Sequence, residues 1–124
     1  MDQTVLVNAG HTIVKALDTA GIPPRAAMWV RNSDTETWKL WIVPHASITD
    51  KRDFYHRIAD IVSKHRVELG GIDASDTELV SDEHPAIRGL RVILKMPGLG
   101  AARFTDNRFN GFFLPDGIIL RMDV

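Results

Sequence analysis

The chain holds 124 residues with 15 basic and 16 acidic side chains, a net charge of −1, 44% apolar residues and no cysteine. At that size a single folded domain hides roughly two-thirds of the surface its unfolded form exposes, so no disulfide or metal is needed to hold a core. The composition excludes collagen-like, disordered and disulfide-scaffold classes, the near-zero charge offers no bulk attraction to nucleic acid or an anionic membrane, and the missing thiols exclude thiol nucleophiles, zinc ribbons and iron–sulfur clusters.

The first residues, Met1-Asp2-Gln3-Thr4, carry neither the basic stretch nor the small-residue cleavage site of a secretory signal, and the apolar runs are far too short to span a bilayer. A cytoplasmic location without membrane contact is therefore expected. Over residues 3–20, Val5, Ala9, Ile13, Ala16, Leu17 and Ala20 share one side of a helical wheel, and Gly21 with Pro23-Pro24 ends the element. Gly10 costs such a helix about 1 kcal/mol relative to alanine. The alternative is a strand over Thr4–Asn8, a turn at Ala9-Gly10 and a helix from Thr12, but the glycine fingerprint of a nucleotide-binding unit is missing.

Residues 26–32 and 37–44 read as two strands flanking the polar turn Ser33-Asp34-Thr35-Glu36. Both carry large apolar side chains on both faces, where a sheet with one wet face would alternate with polar residues. Residues 50–69 predict a helix capped by Thr49 or Asp50, with Phe54, Ile58, Ile61, Val62, His65 and Leu69 as its buried stripe and Gly70-Gly71 as its stop. A short strand, Thr77–Val80, precedes a third helix over 84–95, capped by Ser81 or Asp82 with Pro85 in its first turn. The remainder predicts strands at Ala101–Thr105, Phe112–Leu114 and Ile118–Met122, joined by a polar loop over 106–111 and a turn at Leu114-Pro115-Asp116-Gly117. The expected fold is thus a single α+β domain, a mainly antiparallel sheet of five to six strands with three helices, in the order α-β-β-α-β-α-β-β-β.

Two patterns carry functional expectations. From Ile72 to Glu83 there are only acids, and from His84 onward bases dominate. His84, Arg88, Arg91 and Lys95 line one helical stripe, with Arg103 beyond, and together they form a candidate anion or phosphate site. The structural alternative is that acids before a helix and bases along it complement the macrodipole. The second pattern is the apolar hairpin: Met28, Trp29, Trp38 and Trp41 are the candidate interface residues, and a two-fold dimer is the expected way to cover whichever face the helices leave bare. With only Arg31 and Lys39 beside the tryptophans, nucleic acid is not the expected partner.

The five histidines form no metal-ligand spacing. His56 lies among the i,i+4 pairs Asp53–Arg57 and Asp60–Lys64 on a solvated face, and His65 falls inside an apolar arc. The segment Asp73–Glu78 lacks the central glycine and distant glutamate of a calcium loop. No metal and no cofactor are expected. The leading expectation is a small binding module that acts through protein–protein contacts. The alternative is an enzyme or ligand-binding protein for a phosphorylated or carboxylated molecule at the basic 84–108 region.

Overall fold

A computed structural model describes residues 2–32 and 34–124; Met1, and Ser33 of the expected hairpin turn, lie outside the described residues. Among the described residues the elements run α1 (Gln3–Thr19), β1 (Ala26–Arg31), β2 (Trp38–Val43), α2 (Lys51–Lys64), α3 (Arg66–Leu69), a 3-10 turn (Ala74–Asp76), β3 (Thr77–Leu79), α4 (Pro85–Ile93), β4 (Ala102–Phe109) and β5 (Phe112–Met122). One five-stranded sheet has the order β3-β2-β1-β5-β4.

The α+β class holds, but the sheet is mixed rather than mainly antiparallel. β1 pairs antiparallel with β2 and β5, and β4 with β5, whereas β2 and β3 are parallel. The reason is the connection: α2 and α3 carry the chain back across the sheet, so β3 starts from the same end as β2.

Helix α1 forms as one unbroken element, with the Asp2 carboxylate accepting from the Thr4 amide. Gly10 is tolerated there for packing. A Cβ at that position would overlap Leu120 and the indole of Trp29. The close approach lets Trp29 Nε1 donate to the Leu6 carbonyl at 2.6 Å, so the buried indole loses no hydrogen bond. The buried face is Leu6, Ala9, Gly10, Ile13, Val14 and Leu17, rotated from the expected one, which leaves Ala20 exposed.

The expected helix 50–69 is two helices, which raises the helix count to four. His65 leaves helical geometry at φ −120° and ψ 27°, and its ring binds Glu68 at 2.9 Å at the surface instead of joining the buried stripe. Phe54, Ile58, Ile61 and Val62 are buried as one stripe, as expected. The cap of α4 is His84, not Ser81 or Asp82, because Pro85 starts the helix directly behind it.

The last quarter also differs: two strands replace the expected three. Asn110 and Gly111 take φ of 53° and 84° between the facing pair Phe109 and Phe112, the geometry of a tight two-residue hairpin turn. The Leu114-Pro115-Asp116-Gly117 sequence does not turn. Pro115 lies where β1 has already ended, since Arg31 faces Asp116, so its missing N–H leaves no neighbouring strand short. Gly117 is small because the Phe104 ring crosses it.

The two sheet faces receive different cover. Ala27, Trp29, Leu40, Ile42, Ile118 and Leu120 pack with α1 and α2. Met28, Val30, Ile119 and Met122 pack with Ala86, Ile87 and Leu90 of α4. A bulge in β5 opposite Ala27/Met28 adds an extra residue and keeps Arg121 on the same face as Leu120. Arg121 therefore reaches back to Asp18 of α1, forming a two-pronged pair at 2.8 and 2.9 Å, and donates from Nε to the Pro97 carbonyl. The Asp18 hydrogen bond holds this guanidinium more firmly protonated despite its burial.

Candidate functional site

On the α4 side of the sheet, Met28 of β1 faces Trp41 of β2, and Trp41 in turn faces Glu78 of β3. Met28 is fully covered, while Trp41 is half-buried. Helix α4 packs over β4 and β5, and the residue that caps its start, His84, reaches toward β2. Its ring centroid lies 4.8 Å from Trp41 and 4.7 Å from Phe112, both edge-on. Phe112 comes from the far side of the sheet, at the start of β5, and stands 6.1 Å from Trp41. Three aromatic rings from β2, β5 and the α4 cap thus cluster together, and two of them, Trp41 and Phe112, line a groove.

The groove has a volume of about 450 Å³ and runs over Val30 and Trp41, with Lys39, Glu78, Phe112 and Phe113 along its sides. Its apolar wall is open: Phe112 and Phe113 are 37% and 43% exposed. The rim is charged in both senses. Lys39 Nζ donates to the Ser75 carbonyl, Arg31 pairs with Asp116 at 2.7 Å, and the Arg108 guanidinium lies 5.5 Å from the centre of the Phe113 ring.

His84 is the electrostatically distinctive member. Its Nδ1 accepts from the Ala86 amide at 3.1 Å, which requires an unprotonated nitrogen there and places the proton of the neutral ring on Nε2. Burial lowers its pKa from the ordinary histidine value, and the Glu78 carboxylate opposes that shift in part. The positive end of the helix also disfavours an imidazolium at this position.

The expected anion stripe is dispersed. His84 turns inward to the aromatic rings. Arg88 lies 3.9 Å from Glu83, and Lys95 binds Asp123 at 2.7 Å. Arg88 and Arg91 stay together with Val92 and Asn110 around a shallow depression of about 410 Å³. Gly89 forms its floor, where a Cβ would press on the backbone of Phe109 and Asn110. Arg103 faces the opposite side of the sheet and donates to Gln3 Oε1 at 2.7 Å. Among the described residues, no three histidine, aspartate or glutamate side chains gather as a metal-binding set.

The four candidate interface residues also separate. Met28 and Trp29 have no exposed surface, and Trp38 packs half-buried against the α1–α2 face, so only Trp41 looks into the groove. Phe112, Phe113, Lys39 and Glu78 were not anticipated as site residues. The signal that finds the first two is Asn110-Gly111 between two phenylalanines, a hairpin turn that brings Phe112 back beside α4. No protein-family model matches the chain, and comparison with curated proteins and with solved structures finds no similar one.

Proposed function

We propose that this chain is a small binding module that receives a partner protein's apolar side chains in the groove over Trp41. The carrying observation is that Trp41, only partly covered on the α4 side of the sheet, lines an aromatic-walled groove of about 450 Å³. An indole anchor within a rim of Lys39 and Glu78 suits a protein contact, since interface cores are enriched in aromatic residues and their rims are polar. A second copy of the chain is one partner of this kind, and the two-fold dimer expected from the hairpin would form through Trp41 rather than through the buried Met28 and Trp29.

A photo-crosslinking residue in place of Lys39, paired with one in place of Lys15 on α1, tests the reading. Adducts, to a copy or to another protein, are expected from position 39 and to vanish with Trp41→Glu. Equal adducts from both positions, or adducts that survive Trp41→Glu in a folded chain, overturn it. Sedimentation equilibrium separates self-association from a foreign partner.

A second reading, an anion site for a phosphorylated or carboxylated molecule, rests on Arg88 and Arg91 flanking one depression. Phosphate should then raise the melting temperature at low salt, and Arg88→Ala with Arg91→Ala should abolish the gain.

A further inference from the structure

His84 does two jobs with one ring. Its Nδ1 caps α4 through the Ala86 amide, and its ring packs edge-on against Trp41 and Phe112, which both line the groove. Only the neutral ring can do both. A proton on Nδ1 would set two donors against each other at Ala86, so the ring must turn away, and turning breaks the contacts to both aromatic neighbours. We propose that His84 is a proton-operated clasp: the neutral ring ties the β4–β5 hairpin to β2, and its protonation releases Phe112 from Trp41 and widens the groove. This rests on the groove being the binding site, and it adds that mild acid changes the shape presented to the partner.

The charges around His84 set the balance. β3 brings Glu78, which favours the protonated ring. The preceding turn brings Asp82 and Glu83, but Asp82 is drawn to Arg25 at 3.1 Å and Glu83 lies toward Arg88 at 3.9 Å. Arg88 itself, one turn along α4, opposes a second positive charge. On β2, Lys39 shares the Trp41 side of the strand and is engaged by the Ser75 carbonyl. β5 contributes the Phe112 ring. The far side of the hairpin tip remains held at Gly89, against Phe109 and Asn110, so release of Phe112 is a local opening rather than loss of the strand pair.

Nuclear magnetic resonance of the whole chain tests this without a ligand. The titration of the His84 ring proton is followed together with cross-peaks between Trp41 and Phe112 and with the exchange protection of the Ala86 amide. In the wild type, the cross-peaks and the protection are expected to be lost with the same midpoint as the His84 titration, below the ordinary histidine range. His84→Asn keeps a capping oxygen that does not titrate, so Ala86 protection should persist through that range. His84→Ala, with no cap, should show the open pattern at every pH; if it fails to fold, the asparagine variant still decides. A His84 that titrates while the Trp41–Phe112 contacts persist overturns the clasp and leaves the groove reading untouched. Loss of Ala86 protection at the same midpoint in His84→Asn overturns it equally. Opening that follows His84, in a chain that yields no adduct at position 39, retains the clasp and removes the groove's partner.

Discussion

Trp29 and Trp41 sit on adjacent strands of one hairpin and meet opposite fates. Trp29 lies under α1 with no exposed surface and a hydrogen bond to the Leu6 carbonyl, whereas Trp41, on the other face, is half-open beside His84 and Phe112. Where the helices pack accounts for the difference. The 17 residues of α1 extend about 25 Å, and α2 joins it on the same face. The 9 residues of α4 extend only about 14 Å. It packs on β4 and β5, so on this face of β2 Val43 is buried in the α4-side core while Trp41 and Lys39 stay partly exposed. The two faces teach that an apolar strand does not by itself mark core or interface. What marks it is whether a helix packs above it.

The comparison predicts a hierarchy of losses. Trp29→Ala should cost about 3–5 kcal/mol, because it leaves a cavity under α1, while Trp41→Ala should cost about 1–2 kcal/mol, because that ring is only partly removed from water. Urea denaturation of both variants checks this, and equal midpoints would erase the distinction between the two sites.

Next comes the pair that ties α1 to the end of β5. Asp18→Ala strands the Arg121 guanidinium, whose side chain is only 10% exposed. A fully buried pair broken this way costs several kcal/mol; since the Asp18 side chain is 33% exposed, about 2 kcal/mol is expected. Arg121→Met, which leaves no buried charge, should be the milder change. The opposite ranking in thermal denaturation would show that the pair is not what joins these elements.

A smaller effect belongs to the open face. Burial lowers the folded-state pKa of His84, so below about pH 6.5 the unfolded chain binds more protons there than the folded one. Stability from this residue is therefore complete above the ordinary histidine pKa and is lost as pH falls through the lowered folded value. Denaturation midpoints across mildly acidic pH should decline more steeply for the wild type than for His84→Asn. Identical slopes would place the sensitivity elsewhere.

Much of the sealed face is legible in the sequence. The spacing of Phe54, Ile58, Ile61 and Val62 identifies the buried stripe of α2, and Val5 through Leu17 predicts one continuous α1 in spite of Gly10. The reason Gly10 is there, contact with Trp29 and Leu120, is invisible locally because its partners lie 19 and 110 positions away. The open face is less legible for the same reason. Pro115 and Gly117 read as a turn, yet one sits beyond the end of β1 and the other under a Phe104 ring, and both conditions are tertiary. His84 reads as one cation of a stripe until α4 begins directly behind it and turns its ring toward Trp41. Residues 106–111 read as a polar loop, whereas β4 runs through most of them and a tight turn at Asn110-Gly111 carries Phe112 back to the groove.

The central claim, that Trp29 is sealed under α1 while Trp41 on the other face is open, is tested most directly by rapid hydroxyl-radical oxidation with peptide mass spectrometry, repeated at falling protein concentration. Trp41 and Phe112 should be oxidised readily and Trp29 hardly at all, with any protection of Trp41 disappearing on dilution if a second copy covers it. Trp41 protected as fully as Trp29 at the lowest concentration would contradict the account.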